Sequence, residues 1–292
     1  MQGTIDGFSY GAVTPAAAFL MACLGAALGL RCTTRSLRTE RSFRAGWLAL
    51  GATSIGSGIW TMHFIAMTGF SVEEVPIGYD KPITFASLAV AIVMVGIGIF
   101  LVGYRGATRM ALVTGGTITG LGVASMHYLG MAGMRLDGQF EYDTVTVGLS
   151  VVIAVVASTA ALWAAVSIHG FLPSLGASVV MGVAVSGMHY TGMAALRVHL
   201  HPAASTAAHA SGDSAGSLLV PMLLGPACFL LLAAVVVMFD PLVVMGTPDW
   251  DDPRAARTPG IPAQRQVPRF GTHADPASFH SRPRDAVGPA DW

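Results

Sequence analysis

Charge is scarce in this chain. Asp, Glu, Lys and Arg make up 11% of the 292 residues, and 16 basic residues balance 16 acidic ones. A net charge of zero leaves no basic face to collect phosphates, which argues against nucleic acid as a partner. Cysteine is scarce too: Cys23, Cys32 and Cys228 stand apart, without metal-type or disulfide-type spacing, and read as small apolar packing residues. No basic stretch precedes the first apolar run, so that run lacks the form of a cleaved signal peptide and is expected to remain as a helix. A Gly-rich phosphate loop, a nucleophile elbow and clustered carboxylates within the apolar runs are all missing. The chain is therefore not expected to be an enzyme.

What it has in abundance is apolar length. Hydrophobic residues account for 53% of the chain, a composition that belongs to integral membrane proteins. Seven runs reach the roughly 20 residues needed to cross a bilayer. They lie near Ala12 to Leu30, Ala45 to Phe70, Ile83 to Tyr104, Thr108 to Met134, Thr144 to His169, Pro173 to Leu196 and Ser217 to Phe239. The expected fold class is all-α, a polytopic membrane protein of seven transmembrane helices over residues 1–240, with the lipid bilayer as its surroundings. Residues 241–292 are rich in Pro, Ala, Arg and Asp and lack apolar periodicity, so they are expected to form a disordered tail. Trp250, Phe270 and Trp292 are its candidate docking contacts.

The charges that exist are unevenly placed. Arg31, Arg35, Arg38, Arg41 and Arg44 follow the first run and Arg105 and Arg109 follow the third, whereas the alternate connections hold Glu73, Glu74, Asp80, Asp137, Glu141, Asp143 and Asp213. The positive-inside rule puts the Arg-rich connections in the cytoplasm, the N-terminus outside and the C-terminus inside.

Within the even-numbered runs a Met-His-aromatic triplet recurs, at spacings of 64 and 62 residues: Met62-His63-Phe64, Met126-His127-Tyr128 and Met188-His189-Tyr190. Each His is followed four residues later by Met67, Met131 or Met193. That spacing puts His and trailing Met on one helix face, while the leading Met is turned about 100° away. Gly56, Gly120 and Gly182 stand seven residues before the His, and Ala66, Gly130 and Gly192 three after it. Small residues there let another helix approach closely. All three helices would run in the same direction and carry their His at one depth, in the outer half of the membrane. The chain thus reads as three parallel two-helix repeats plus a seventh helix, with pseudo-threefold symmetry about the membrane normal.

An ionisable residue inside a membrane is by default a functional candidate. A single His could merely hydrogen-bond to a neighbouring helix, and a single Met could fill a gap. Three copies in matched register call for another account. Imidazole and thioether are both neutral ligands, and thioether selects copper, above all the reduced ion. The candidate metal ligands are His63, His127 and His189 with Met67, Met131 and Met193, and less directly Met62, Met126 and Met188. Three His with three or more Met exceed the roughly four donors one copper uses, so one or two ions are expected. An exchangeable position on such a site could take a diatomic gas or respond to redox state.

The segments Met126-His127-Tyr128-Leu129-Gly130-Met131 and Met188-His189-Tyr190-Thr191-Gly192-Met193 resemble the signature of the MHYT domain, a bacterial integral membrane domain. The likeness spans about Gly7 to Asp240. It implies a seven-helix sensor that coordinates copper near the outer face and responds to oxygen, carbon monoxide or nitric oxide. The family's ligands carry over to Met62, His63 and Met67, to Met126, His127 and Met131, and to Met188, His189 and Met193. The first copy departs from the pattern, with Phe64 and Ala66 where the others have Tyr and Gly. Many relatives continue into a cytoplasmic output domain. This chain is expected to be a stand-alone member whose output comes from a separate cytoplasmic signalling protein.

Two other classes compete with a sensor. Paired His on membrane helices can ligate haem in an electron carrier, although three His do not divide into pairs. A metal transporter would need polar groups through both halves of the membrane, and the cytoplasmic halves here offer mainly Gly, Thr and Ser. His199, His201 and His209 in the outer loop are minor candidates for metal delivery. His169 is expected at the interface, Trp60 in packing, and Met134 in packing at a helix end.

Overall fold

The computed structural model describes residues 3–7, 9–168, 170–200 and 215–239. The expectations for residues 241–292 and for His169, His201 and His209 lie outside the described residues. The described residues form seven helices: α1 (Val13–Leu37), α2 (Arg41–Thr68), α3 (Lys81–Arg105), α4 (Arg109–Ala132), α5 (Thr144–Ser167), α6 (Phe171–Ala194) and α7 (Ala215–Met238). This is an all-α membrane protein.

Five of these helices, α1, α3, α5, α6 and α7, are long and apolar enough to cross a membrane by composition alone. The other two, α2 and α4, are the richest in Gly, Ser, Thr and His for a physical reason: they face protein. From Gly51 to Met67 almost every α2 side chain is buried, and α4 buries Gly115, Gly116, Thr119, Gly120 and Gly122 along the face it shares with its neighbours.

Helices α1 to α6 pack in sequence order as a closed ring, α6 returning against α1, while α7 lies against α2 and α1. The glycine seven residues before each His is where the ring closes tightly. A Cβ on Gly56 would stand 2.9 Å from the Ile92 backbone of α3, one on Gly120 2.5 Å from the Val155 backbone of α5, and one on Gly182 2.5 Å from Cys23 Sγ of α1. The same position in each repeat thus admits the next element of the ring.

Six short strands refine the repeat. β1 (Ile5–Asp6) pairs antiparallel with β2 (Ser71–Val72), β3 (Gly78–Tyr79) with β4 (Met134–Arg135), and β5 (Gly138–Tyr142) with β6 (Leu196–Leu200). The unit is therefore strand, helix, helix, strand, used three times. Equivalent backbone bonds close each unit: Ser9 N–H to Gly69 O at 3.0 Å, Asp80 N–H to Gly133 O at 2.8 Å, and Asp143 N–H to Ala195 O at 2.9 Å. Two expected helix ends are corrected here. Met134 is a strand residue through its pairing with Tyr79, and Leu196 opens Leu196-Arg197-Val198-His199-Leu200, which alternates buried and exposed, the two-residue period of a strand.

The Arg-rich end also differs from expectation. Arg31 and Arg35 lie in α1 and Arg41 and Arg44 in α2, so only residues 38–40 link the two helices. Long Arg stems can lie along apolar surface at a helix end. Arg35 stacks over Trp47, 5.6 Å from the ring centre, and Arg44 over Tyr104 at 5.5 Å while donating to Gly103 O.

Candidate metal centre

Each motif His stands five residues before the last residue of its helix, α2, α4 or α6. The ring of helices then turns all three toward one point. The Nδ1 atoms form a triangle, with His63 to His189 at 3.0 Å, His127 to His63 at 3.2 Å and His189 to His127 at 3.3 Å. Each ring is only 1% exposed, and the rings meet edge to face at 78° to 87°.

Hydrogen bonding does not satisfy this triangle. A neutral imidazole nitrogen carries either a proton or a lone pair. Among three mutual neighbours of two kinds, at least one pair must be alike, donor facing donor or lone pair facing lone pair. A cation at the centre would instead accept all three lone pairs. The point equidistant from the nitrogens lies about 1.8 Å from each, close to the roughly 2.0 Å of a metal–imidazole bond. Coordination through Nδ1 would leave each proton on Nε2. The Nε2 atoms of His63 and His127 are buried without a hydrogen-bond partner. The donor set therefore fits a metal ion. Among the described residues, no thiol or carboxylate joins the three His in this cluster.

The small residues three positions after each His hold the rings in place. A Cβ on Gly130 would stand 2.7 Å from His63 Nε2, and one on Gly192 would stand 2.4 Å from His127 Nε2. The His63 and His127 rings therefore lie against the backbone of the next repeat, at positions where only Gly fits without displacement. At the third junction, between His189 and the first repeat, the corresponding residue is Ala66.

The six motif methionines occupy different surroundings. Met67 and Met193 line a cavity with His189. Met188 lines a separate apolar cavity of about 50 Å³ beneath the triangle, walled by residues four and eight before each His: Ile59, Val123 and Val185, then Ile55, Thr119 and Met181. Met62 packs in a cluster with Ala18 and Ala22 of α1, and Met126 and Met131 lie in the main core. What the structure brings to a single point is the three imidazoles.

Around them, Trp60 is fully buried and donates from Nε1 to Thr84 O at 3.2 Å and Ser87 Oγ at 3.0 Å, while its ring packs on Phe64. Tyr128 shares a 2.6 Å hydrogen bond with Ser150. His199 pairs with Glu141 at 2.8 Å across the β5–β6 sheet. At the same end, carboxylates tie the helix starts. Asp80 accepts from Ile83 N–H and Arg135, and Asp143 from Thr146 N–H and Oγ1. Those bonds hold both carboxyls below their ordinary range. Thr4, through its side chain and through its N–H on Glu74, lowers that carboxyl in the same way. Sequence reasoning missed the role of the N-terminal strand beside His189, for Ile5 and Gly7 carry no motif.

Residues 56–115 and 120–178 match the MHYT family model, the bacterial signalling protein N terminal repeat. Both matches begin on the glycine seven residues before a motif His, and the third Met-His-Tyr lies beyond them. The chain is 39% identical over 197 residues to the bifunctional diguanylate cyclase/cyclic di-GMP phosphodiesterase MucR of Pseudomonas aeruginosa, covering 66% of this chain and 29% of that protein. It is 33% identical over 224 residues to the cyclic di-GMP phosphodiesterase NbdA of the same organism, covering 73% and 28%. It is 33% identical over 161 residues to the signaling protein YkoW of Bacillus subtilis, covering 52% and 20%. The chain thus spans less than a third of the length of these curated relatives. No solved structure matches it. With three Met-His-aromatic helices around one His triangle and two matched repeats in the expected frame, the chain belongs to the MHYT family of bacterial membrane signalling repeats.

Proposed function

We propose that this chain is a membrane sensor module that holds copper between His63, His127 and His189 and reports a change at that ion, whether a diatomic gas or a redox event. The observation that carries the reading is the buried Nδ1 triangle with sides of 3.0 to 3.3 Å. Its ligands come from three separate repeats, so a small change at the centre acts on all of them together.

The residues favour a monovalent ion. The desolvation cost of an ion grows with the square of its charge, so a divalent ion would cost about four times as much in a cluster that, among the described residues, holds no carboxylate. Reduced copper, when bound, supplies a soft, redox-active centre that can take one further small ligand. The chain's own part is to orient and enclose. Gly130 and Gly192 fix two rings, and the buried Trp60 and Phe64 keep water from the first repeat's side. The Arg-rich ends of α1 to α4 support an orientation with the His layer toward the outer face and the N-terminus outside.

The relatives support a signalling output. The catalytic activities in their names lie outside the region this chain matches, and a cytoplasmic signalling protein is the receiver that this reading proposes. Haem is disfavoured by geometry, because imidazole nitrogens 3.0 to 3.3 Å apart leave no room for a macrocycle between them.

Elemental analysis of protein purified in mild detergent tests the reading. Copper is expected in the wild type and not in the His63→Ala, His127→Ala, His189→Ala triple variant. Equal copper in both, or a Soret absorption band in the wild type, overturns it.

A further inference from the structure

The His triangle is closed at two of its three corners. At His63 and His127 the ring lies on the glycine of the next repeat, with a buried, partnerless Nε2. The third corner is built differently. Next to His189 is a cavity of about 300 Å³ whose walls include Ala66 and Met67 from the first repeat and Tyr190 and Met193 from the third. Its walls also include Ile5 and Ala194, both exposed residues, so it runs from the imidazole to the protein surface. Met193 is half-buried, whereas its counterparts Met67 and Met131 are buried. Two thioethers and one imidazole therefore line one passage, at the only junction where the repeat carries Ala in place of Gly.

We propose that this cavity is the port through which a soft monovalent cation enters and leaves the His triangle, with Met67 and Met193 as transfer donors along it. The proposal rests on the reading that the triangle holds such a cation. Thioethers suit the task because they bind Cu(I) or Ag(I) while remaining neutral and do not hold hard ions. The strand β1 forms the outer wall. It is held by its pairing with β2, by Thr4 N–H on the Glu74 carboxylate at 3.0 Å and by the Ser9–Ser71 hydroxyl pair at 2.7 Å. The broken threefold symmetry thus assigns different tasks to equivalent methionines: Met67 and Met193 to exchange, Met131 to packing in the closed core.

The test separates rate from equilibrium. Full-length protein in detergent is loaded with Ag(I), and with Cu(I) under reducing conditions, and the ion is then withdrawn by a water-soluble chelator. In the double variant Met67→Leu, Met193→Leu, the near-equal volume of Leu and Met preserves packing. Both loading and release should slow by about tenfold or more, with stoichiometry and affinity as in the wild type. Met131→Leu should leave the rates unchanged. Ala194→Trp, which narrows the cavity from its exposed rim, should slow exchange as the double variant does and keeps the test decisive if the double variant fails to fold. Wild-type rates in both port variants overturn the port, as does a loss of affinity matching the loss of rate, which would make these methionines resident ligands. A wild type that takes up no ion, or a triple His variant that takes up as much, would instead refute the metal reading itself.

Discussion

Replacing Gly192 by Ala adds a single methyl group in contact with the His127 ring. Its Cβ would stand 2.4 Å from Nε2, 3.0 Å from Cδ2 and 3.3 Å from Cε1, so the imidazole must retreat by about 1 Å to restore ordinary contact. On its far side are the other two imidazoles, at 3.2 and 3.3 Å, so it can yield only by tilting Nδ1 out of the triangle. Metal–ligand distances hold to within about 0.2 Å, and a displacement several times larger removes His127 as a ligand. Copper affinity should fall by about 10- to 100-fold, the range seen when a ligand's support is removed. Crowding should destabilise the fold by about 1–3 kcal/mol. Gly187→Ala on the same helix is the control. No atom lies within 4 Å of its ideal Cβ, so it should keep full affinity and gain up to about 1 kcal/mol from helix propensity. Competition against a Cu(I) chelator, with thermal unfolding in the same detergent, measures both. Wild-type affinity in a folded Gly192→Ala protein would refute the account of how the ring is held.

Two further outcomes follow from the neighbourhood of the site. Bonds from Thr146 lower the Asp143 carboxyl, so its capping stabilises the fold at pH above the ordinary carboxylate range and is lost as pH falls through the depressed value. The difference in unfolding temperature between wild type and Asp143→Ala should therefore be full near neutrality and close on acidification; a gap that stays constant into strong acid would show that the carboxylate is not its source. Trp60→Phe removes the Nε1–H donor but leaves Ser87 Oγ bonded to Thr84 O, so it should cost about 1–2 kcal/mol with copper content unchanged.

Most of this architecture is written in residue spacing. Seven helices, three repeats and a shared His depth follow from apolar run length and from the recurring Gly, Met, His and small-residue positions, because helix periodicity converts sequence spacing directly into direction. Gly130 and Gly192 were legible as sites of close approach, but not as seats for the imidazoles of the next repeat. That contact is made across 67 residues from His63 to Gly130 and 65 from His127 to Gly192, and no local pattern encodes it. The strands were partly legible. The alternation in Leu196 to Leu200 is a strand signal, but an apolar run leading into it reads as continued helix. The two-residue strands β1 to β4 are too short for any period to register. The methionines mark the limit of projection arguments. A shared helix face places Met67, Met131 and Met193 alike, yet Met67 and Met193 line the cavity beside His189 and Met131 is buried in the main core.

The strongest consequence of a centre built from three repeats is mechanical. Each imidazole comes from a different strand-helix-helix-strand unit, so an ion held by all three is a crosslink between units that the folded ring alone can form. Binding that requires the assembled ring must stabilise it by mass action, by about 2.7 kcal/mol when free ion stands at 100 times its dissociation constant. For a domain of this size that corresponds to an upward shift in unfolding temperature of about 5 to 10 °C. The shift should be present with Cu(I) or Ag(I) and absent from the triple His variant. It should shrink in Gly192→Ala and persist in full in the Met67→Leu, Met193→Leu protein once loading is complete. An equal shift in the triple His variant would mean that the ion binds elsewhere, and the imidazoles would then have to meet for reasons of packing alone. That alternative is costly here, since a triangle of nitrogens with no cation keeps at least one like-facing pair among imidazoles that are each only 1% exposed.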